Sequence, residues 1–282
     1  MRSNRWWPGR WATAVVGATA EAASASGIGL ERRNAGPLRL TVLGQVELLW
    51  KDGGVARDLT EVLTPKQQEI LVFVALGLER GVAREALNNA VWPARSLARP
   101  YNSLHNALSL LRSTLARETD GLFRDVIIAS GGFYRLDDRV VDVDYWRFRH
   151  LVSQESGKVV ELWRGDVAES LRGLWLESAR VAVRREVLDA VGSLISVGDV
   201  ECFSRVAGVL ERMRAVDPYN EAVYRDIIRV QVALGQIEGA RRTFGLLVAA
   251  LKDLGCGVSR ETVDFLASVK SVVNGNVNRV AS

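Results

Sequence analysis

Residues 94–117, ARSLARPYNSLHNALSLLRSTLAR, constrain the fold of this chain more than any other stretch. At 100° per residue Leu104, Leu108, Leu111 and Leu115 fall in one stripe, so the segment reads as a helix that lays that stripe on a core. The opposite face carries Asn102, His105, Asn106, Ser109, Arg112 and Ser113. Arg95, Arg99, Arg112 and Arg117 meet no acidic residue anywhere in the span. Amides, an imidazole, hydroxyls and guanidiniums are the groups that bond base edges and phosphates in a DNA major groove. An ordinary amphipathic helix with a solvated polar face has the same spacing, so the neighbouring segments must decide between the two.

Two shorter helices precede it. Thr64-Pro65-Lys66-Gln67 offers a hydroxyl cap, a proline at the first helical position and a glutamine that completes a capping box. The apolar run Ile70 to Leu78 follows and stops near Gly81. A second helix spans Ala83 to Val91 and ends at Trp92-Pro93, because proline disfavours helix at the residue before it. Strand-like pieces flank the trio: Leu38 to Leu43 and Gln45 to Trp50 about Gly44, with a turn at 51–54, then Asp125 to Ser130 and Phe133 to Leu136 about Gly131-Gly132, a hairpin signal. Strands, three helices and a terminal hairpin make a winged helix-turn-helix, whose third helix enters the major groove.

Beyond Asp144 nearly everything reads as helix, with breaks at Gly198-Asp199, Asp217-Pro218 and Gly235. Val206, Leu210 and Met213 align with Ala240, Phe244 and Leu247 at a 34-residue offset, the tetratricopeptide (TPR) period, and Tyr224 and Ile227 take the matching places on the helix between. Such helix pairs bury their faces only by stacking, which makes a scaffold suited to binding protein.

These segments resemble a known family. LRLTVLGQVELLW, LTPKQQEILVFVAL, REALNNAVWP, YNSLHNALSLLRSTL and GGFYRL are similar to the OmpR-type winged helix of the antibiotic-regulatory-protein activators of actinobacteria. VDVDYWRFRHLV, ELWRGDVAESL, AVDPYNEAVYRDIIRVQVALGQIEGA and LGCGVSRETVDFL resemble that family's second half, the bacterial transcriptional activator domain. The pair is also similar to the C-terminal half of actinobacterial proteins that join a LysM region to it. The resemblance implies a mainly α chain: a leader or linker over 1–36, a winged helix with small β-sheets over 37–142, and a TPR-like helical domain over 143–282. It implies a cytoplasmic, DNA-binding transcriptional regulator, an activator, whose helical domain contacts a second copy or RNA polymerase at promoters bearing direct repeats. The DNA-binding candidates are Arg95, Arg99, Tyr101, Asn102, His105, Asn106, Ser109 and Arg112, with Ser130 and Arg135 in the wing. The alternative is a protein-interaction scaffold that keeps the winged-helix fold without operator binding.

Two departures from the family pattern favour that alternative. Leu110 stands where the family often has a basic residue, and Ser130 stands where the wing pattern basic-Gly-x-Gly-Tyr has its cation, the run here being Ser130-Gly131-Gly132-Phe133-Tyr134. Each lost cation forgoes roughly 1–3 kcal/mol where it made a good contact.

Charge does not settle the matter. The chain is +4 with a pI near 9.3, yet residues 37–142 hold 13 Lys+Arg against 13 Asp+Glu, so DNA affinity must come from a local patch. The first 36 residues supply five Arg against two Glu, and their apolar run from Trp11 to Ala20 falls short of the roughly 20 residues needed to span a membrane. They read as a disordered leader, the remnant of a longer protein. Two cysteines, Cys202 and Cys256, and two histidines make no metal-ligand cluster; both thiols read as buried and reduced. Phosphate-loop, nucleophile-elbow and zinc-helix motifs are missing from the sequence, so neither enzyme nor cofactor is expected.

Overall fold

The computed structural model describes residues 36–52, 55–93, 101–198 and 200–269. The N-terminal leader, Arg95 and Arg99 lie outside these residues. The chain forms two compact units. One runs to Leu151 and takes in Asp166–Val183; the other comprises Val152–Gly165 and the residues from Arg184 onward.

In the first unit β1 (Leu38–Thr41) pairs antiparallel with β2 (Glu47–Asp52), which pairs with β3 (Val55–Asp58). The register sets Leu38 opposite Trp50 and Leu40 opposite Leu48, and all four are buried, which is the alternation the sequence predicts. β3 is an additional edge strand; all four of its residues are exposed, so it carries no alternating signal. A thin capped helix follows. In α1 (Pro65–Leu76) the Thr64 hydroxyl accepts the Gln67 N–H while the Gln67 side chain accepts the Thr64 N–H, so the capping box forms. Ile70 to Leu76 are all buried, as expected of a helix at the centre of the unit.

Gly77 ends α1, a single 3-10 turn follows, and Gly81 at φ +69° leads into β4 (Val82–Ala83). A Cβ at Gly81 would sit 2.4 Å from the Tyr134 carbonyl oxygen, so only glycine fits there. Next come α2 (Arg84–Val91) and α3 (Asn102–Glu118). β5 (Ile127–Ser130) and β6 (Phe133–Leu136) then form the hairpin, and β6 also pairs with β4. Gly131 and Gly132 both have positive φ, the two-residue turn whose twist suits a hairpin.

Where the two sequence halves join, the structure departs from the expected boundary at 142/143. β7 (Val141–Val143) pairs parallel with β1, and Asp144, the first residue of α4 (Asp144–Leu151), accepts the N–H groups of Val42 and Leu43 at 2.9 and 3.1 Å. Asp144 is buried, and desolvation raises its carboxyl above the usual range against those backbone bonds. The Trp146 indole donates to the Ala75 carbonyl at the end of α1. The reading of nearly everything from Asp144 onward as helix, broken at Gly198-Asp199, Asp217-Pro218 and Gly235, misses one further break: residues 163–173 are irregular. Ala168 N–H bonds the Val42 carbonyl, Gly44 N–H bonds the Asp166 carbonyl, and Arg180 donates to the carbonyls of Val167, Ala168 and Leu171. These bonds satisfy backbone groups that a non-helical buried segment would otherwise leave orphaned.

The second unit contains α5 (Ser156–Leu162), the greater part of α6 (Glu177–Val197), α7 (Val200–Val216), α8 (Glu221–Ala233), α9 (Ile237–Asp253) and a last helical stretch over 260–269. Val206, Leu210 and Met213 of α7 are buried, as are Ala240 and Leu247 of α9 with Phe244 half-buried, so the 34-residue register corresponds to a repeated packing surface. Tyr224 of α8 packs with Leu247, Leu251, Phe244 and Val258, and its hydroxyl bonds the Pro218 carbonyl. Neither cysteine is buried as expected: Cys202 is half-buried on the first turn of α7, where the stripe of Val206, Val209 and Met213 begins, and Cys256 is exposed; both are free of disulfides. No helix among the described residues is long and apolar enough to cross a membrane.

Candidate nucleic-acid interface

α3 meets the first condition for reading DNA. Leu104, Leu108, Leu111 and Leu115 are buried to 4% exposure or less, which fixes the helix rotation and turns the other side outward. Asn102, His105, Asn106, Ser109 and Ser113 are all exposed on that side. Five hydrogen-bonding side chains spread over three turns form a continuous polar strip. Leu110, at the strip's edge, is 62% exposed.

The cations behave differently from what a sequence count suggests. Arg112 pairs through Nε with Asp125 at 2.9 Å, its side chain 38% exposed and that of Asp125 66% exposed. Arg117 pairs with Glu118, which also accepts Arg57 at 2.6 Å. Tyr101 is half-buried beneath the Arg84 guanidinium, 4.3 Å from its ring centre, and its hydroxyl lies 3.5 Å from Glu85. The span free of acids in sequence is therefore supplied with carboxylates by Asp125, Glu118 and Glu85. Asp125 lies 13 positions from Arg112 across a turn, and no periodicity signals that pairing. The Arg112–Asp125 pair is exposed and weak, on the order of 0–1 kcal/mol, so phosphate can displace it.

The wing adds a second surface. Along β6 the residues alternate, with Tyr134 and Leu136 buried, Phe133 53% exposed and Arg135 half-buried beside it. Ser130 pairs with Phe133 across the hairpin and Ile128 with Arg135. Ser130, predicted as a wing contact, is exposed at the tip. Arg135 is turned toward the Leu136 carbonyl at the long distance of 3.5 Å, a bond too weak to hold it. Asp137, just past the wing, is held below the usual carboxylate range chiefly by the hydrogen bonds of the Arg139 guanidinium. The exposure of Phe133 escaped the sequence reading, since an aromatic in a strand normally signals core.

The structure thus brings Asn102, His105, Asn106, Ser109 and Arg112 together on one helix, and Ser130 with Arg135 on one hairpin. Tyr101 is tied instead to Arg84 and Glu85. Among the described residues no cluster of three or more His, Cys, Asp or Glu could hold a metal ion.

The chain is similar to known proteins in its sequence and in its fold. Residues 149–269 match the family described as "Bacterial transcriptional activator domain". The chain is 27% identical to the transcriptional regulatory protein MoaR1 of Mycobacterium tuberculosis, over 71% of this chain and 68% of that protein. MoaR1 of Mycobacterium bovis (strain BCG) matches to the same extent. Among solved structures, Mycobacterium tuberculosis EmbR, determined in complex with a low-affinity phosphopeptide, superposes with a TM-score of 0.55 at 20% identity, covering 87% of this chain and 71% of that one. The fold expected from the sequence, a winged helix followed by TPR-like helices, is the fold observed.

Proposed function

We propose, for a chain whose residues 149–269 are a bacterial transcriptional activator domain, that it is a transcriptional regulator which binds promoter DNA through α3 and the wing. One observation carries the reading: burial of the leucine stripe leaves Asn102, His105, Asn106 and Ser109 exposed on a single face with no carboxylate among them. Asn bonds adenine edges in a bidentate way, and His and Ser bond acceptors. Arg112 and Arg135, with Arg95 and Arg99 ahead of the helix, bear on phosphates, which position the protein without reading sequence. The MoaR1 relatives, described as transcriptional regulatory proteins, support regulation of transcription as the output, and the match of residues 149–269 to an activator domain supports activation. The helical unit then contacts a second copy or RNA polymerase, and linking two weak modules on one DNA raises avidity by roughly 10²–10⁴ without a stronger contact.

The test is a gel-shift series on promoter fragments. Asn106→Ala alters sequence preference, whereas Arg112→Ala weakens binding to every sequence and lowers the salt slope by about one. If neither substitution changes binding, α3 is not the interface. A second reading, a scaffold without operator binding, rests on the pairing of Arg112 with Asp125 and of Arg117 with Glu118, which leaves the strip without an unpaired cation of its own among the described residues. Failure of the intact chain to bind one-site or two-site probes, with or without polymerase, selects the scaffold.

A further inference from the structure

The wing presents an aromatic ring where a groove-binding hairpin needs a contact. Phe133 is 53% exposed, next to a two-residue turn at which a Cβ on either Gly131 or Gly132 would meet nothing within 4 Å. The turn itself is therefore unobstructed, with β4 flanking β6 so that Ala83 stands opposite Phe133 and the Arg84 N–H bonds the Gly132 carbonyl. Phe133 and Arg135 project from the same face of β6, with Ser130 across from the ring. Residues 126–136 contain no acid and one cation, Arg135. Of the carboxylates that bracket this hairpin, Asp137 is held by Arg139, and Asp125 is held by Arg112 in the chain without DNA. A polyanion approaching the tip meets an apolar ring, a hydroxyl and a guanidinium.

We propose that Phe133 is a DNA-contacting residue that packs on the deoxyribose edge of the minor groove while Arg135 meets the adjacent phosphate. The proposal rests on the DNA-binding reading above and adds a contact to it. Minor-groove proteins commonly use apolar side chains in this way, and a groove about 6 Å wide admits the edge of one hairpin. A protein partner fits poorly. A stable interface needs about 800 Å² per side, and the ring's neighbours at the tip are Ser130, two glycines, Arg135 and the small Ala83 of β4, too little apolar surface for that.

An apolar contact and an ionic one differ in salt dependence, because only the ionic one releases counterions. The intact chain is titrated into a mixed-sequence DNA duplex by fluorescence anisotropy at several salt concentrations. Phe133→Ala lowers affinity by about fivefold to tenfold, the effect of removing roughly half a phenyl ring's burial, and leaves the salt slope unchanged. Phe133→Lys regains affinity at low salt and steepens the slope by about one. The thermal midpoints of both variants stay at the wild-type value, since the ring supports no core. Wild-type affinity in Phe133→Ala overturns the proposal and leaves DNA binding by α3 standing. A change in sedimentation of Phe133→Ala without DNA also overturns it, by showing the ring to be covered by a second copy. Absence of binding by the wild-type chain at every salt concentration overturns the DNA reading and this contact together.

Discussion

The Arg112–Asp125 pair makes DNA affinity adjustable from outside the recognition helix. Asp125→Asn keeps the size of the side chain and removes one negative charge close to the phosphate that Arg112 is proposed to meet. With side chains 38% and 66% exposed, the pair itself contributes on the order of 0.5 kcal/mol to stability, so the unfolding midpoint should barely move. Two gains follow for DNA. Arg112 is released without first breaking an ion pair, and the repulsion between Asp125 and a phosphate some 8–10 Å away, about 0.4 kcal/mol in water before screening, disappears. Together they amount to about 1 kcal/mol, or roughly fivefold tighter binding at low salt. Arg112 ends on a phosphate in both proteins, so the number of counterions released, and with it the slope of log K against log salt, stays nearly the same across a fourfold rise in salt. Anisotropy titrations across that range read both quantities. The double variant with Arg112→Ala should show no gain from Asp125→Asn beyond the repulsion. Equal affinity at low salt in Asp125→Asn and wild type would refute a phosphate role for Arg112.

Three further outcomes are expected. Leu110, exposed at the edge of the polar strip, offers an apolar contact to a thymine methyl; replacing thymine by deoxyuridine one position at a time should weaken wild-type binding at one position and leave Leu110→Ala indifferent there. Asp144→Ala orphans the buried Val42 and Leu43 N–H groups and should lower unfolding stability by about 2–3 kcal/mol in urea titrations, less than two full charged bonds because the carboxylate's own desolvation is relieved. Asp137 has a lowered pKa, so its stabilisation is fully present above its unfolded value and is lost as pH falls through the lower folded one; an Asp137→Asn variant should lack that part of the acid-unfolding profile, which thermal midpoints below pH 5 (about the upper end of carboxylate titration) would reveal.

How far each feature could be read from the chain depended on its range. Leu104 to Leu115 recur at helical spacing, Thr64 and Gln67 stand three apart, and Gly131-Gly132 supplies two positive φ angles in succession; each is local, so a few neighbouring residues determine it and the sequence alone was sufficient. The 34-residue offset was legible for the same reason, since a repeat needs only self-similarity. β3 was not, because an exposed edge strand has no buried face to impose alternation, and β7 was not, because Val-Asp-Val is too short for a period. The extent of the first unit was decided only by tertiary structure. Val42 to Gly44 bond to residues from Asp144 to Ala168, and Gln45 reaches Glu169 across 124 positions. The DNA face was likewise half legible: helical periodicity dictates which side of α3 turns outward, but whether Arg112 stands free or beside Asp125, and whether Phe133 is covered, depends on which distant surfaces meet. Such meetings follow from chain closure and packing of the whole unit, which no window along the sequence contains.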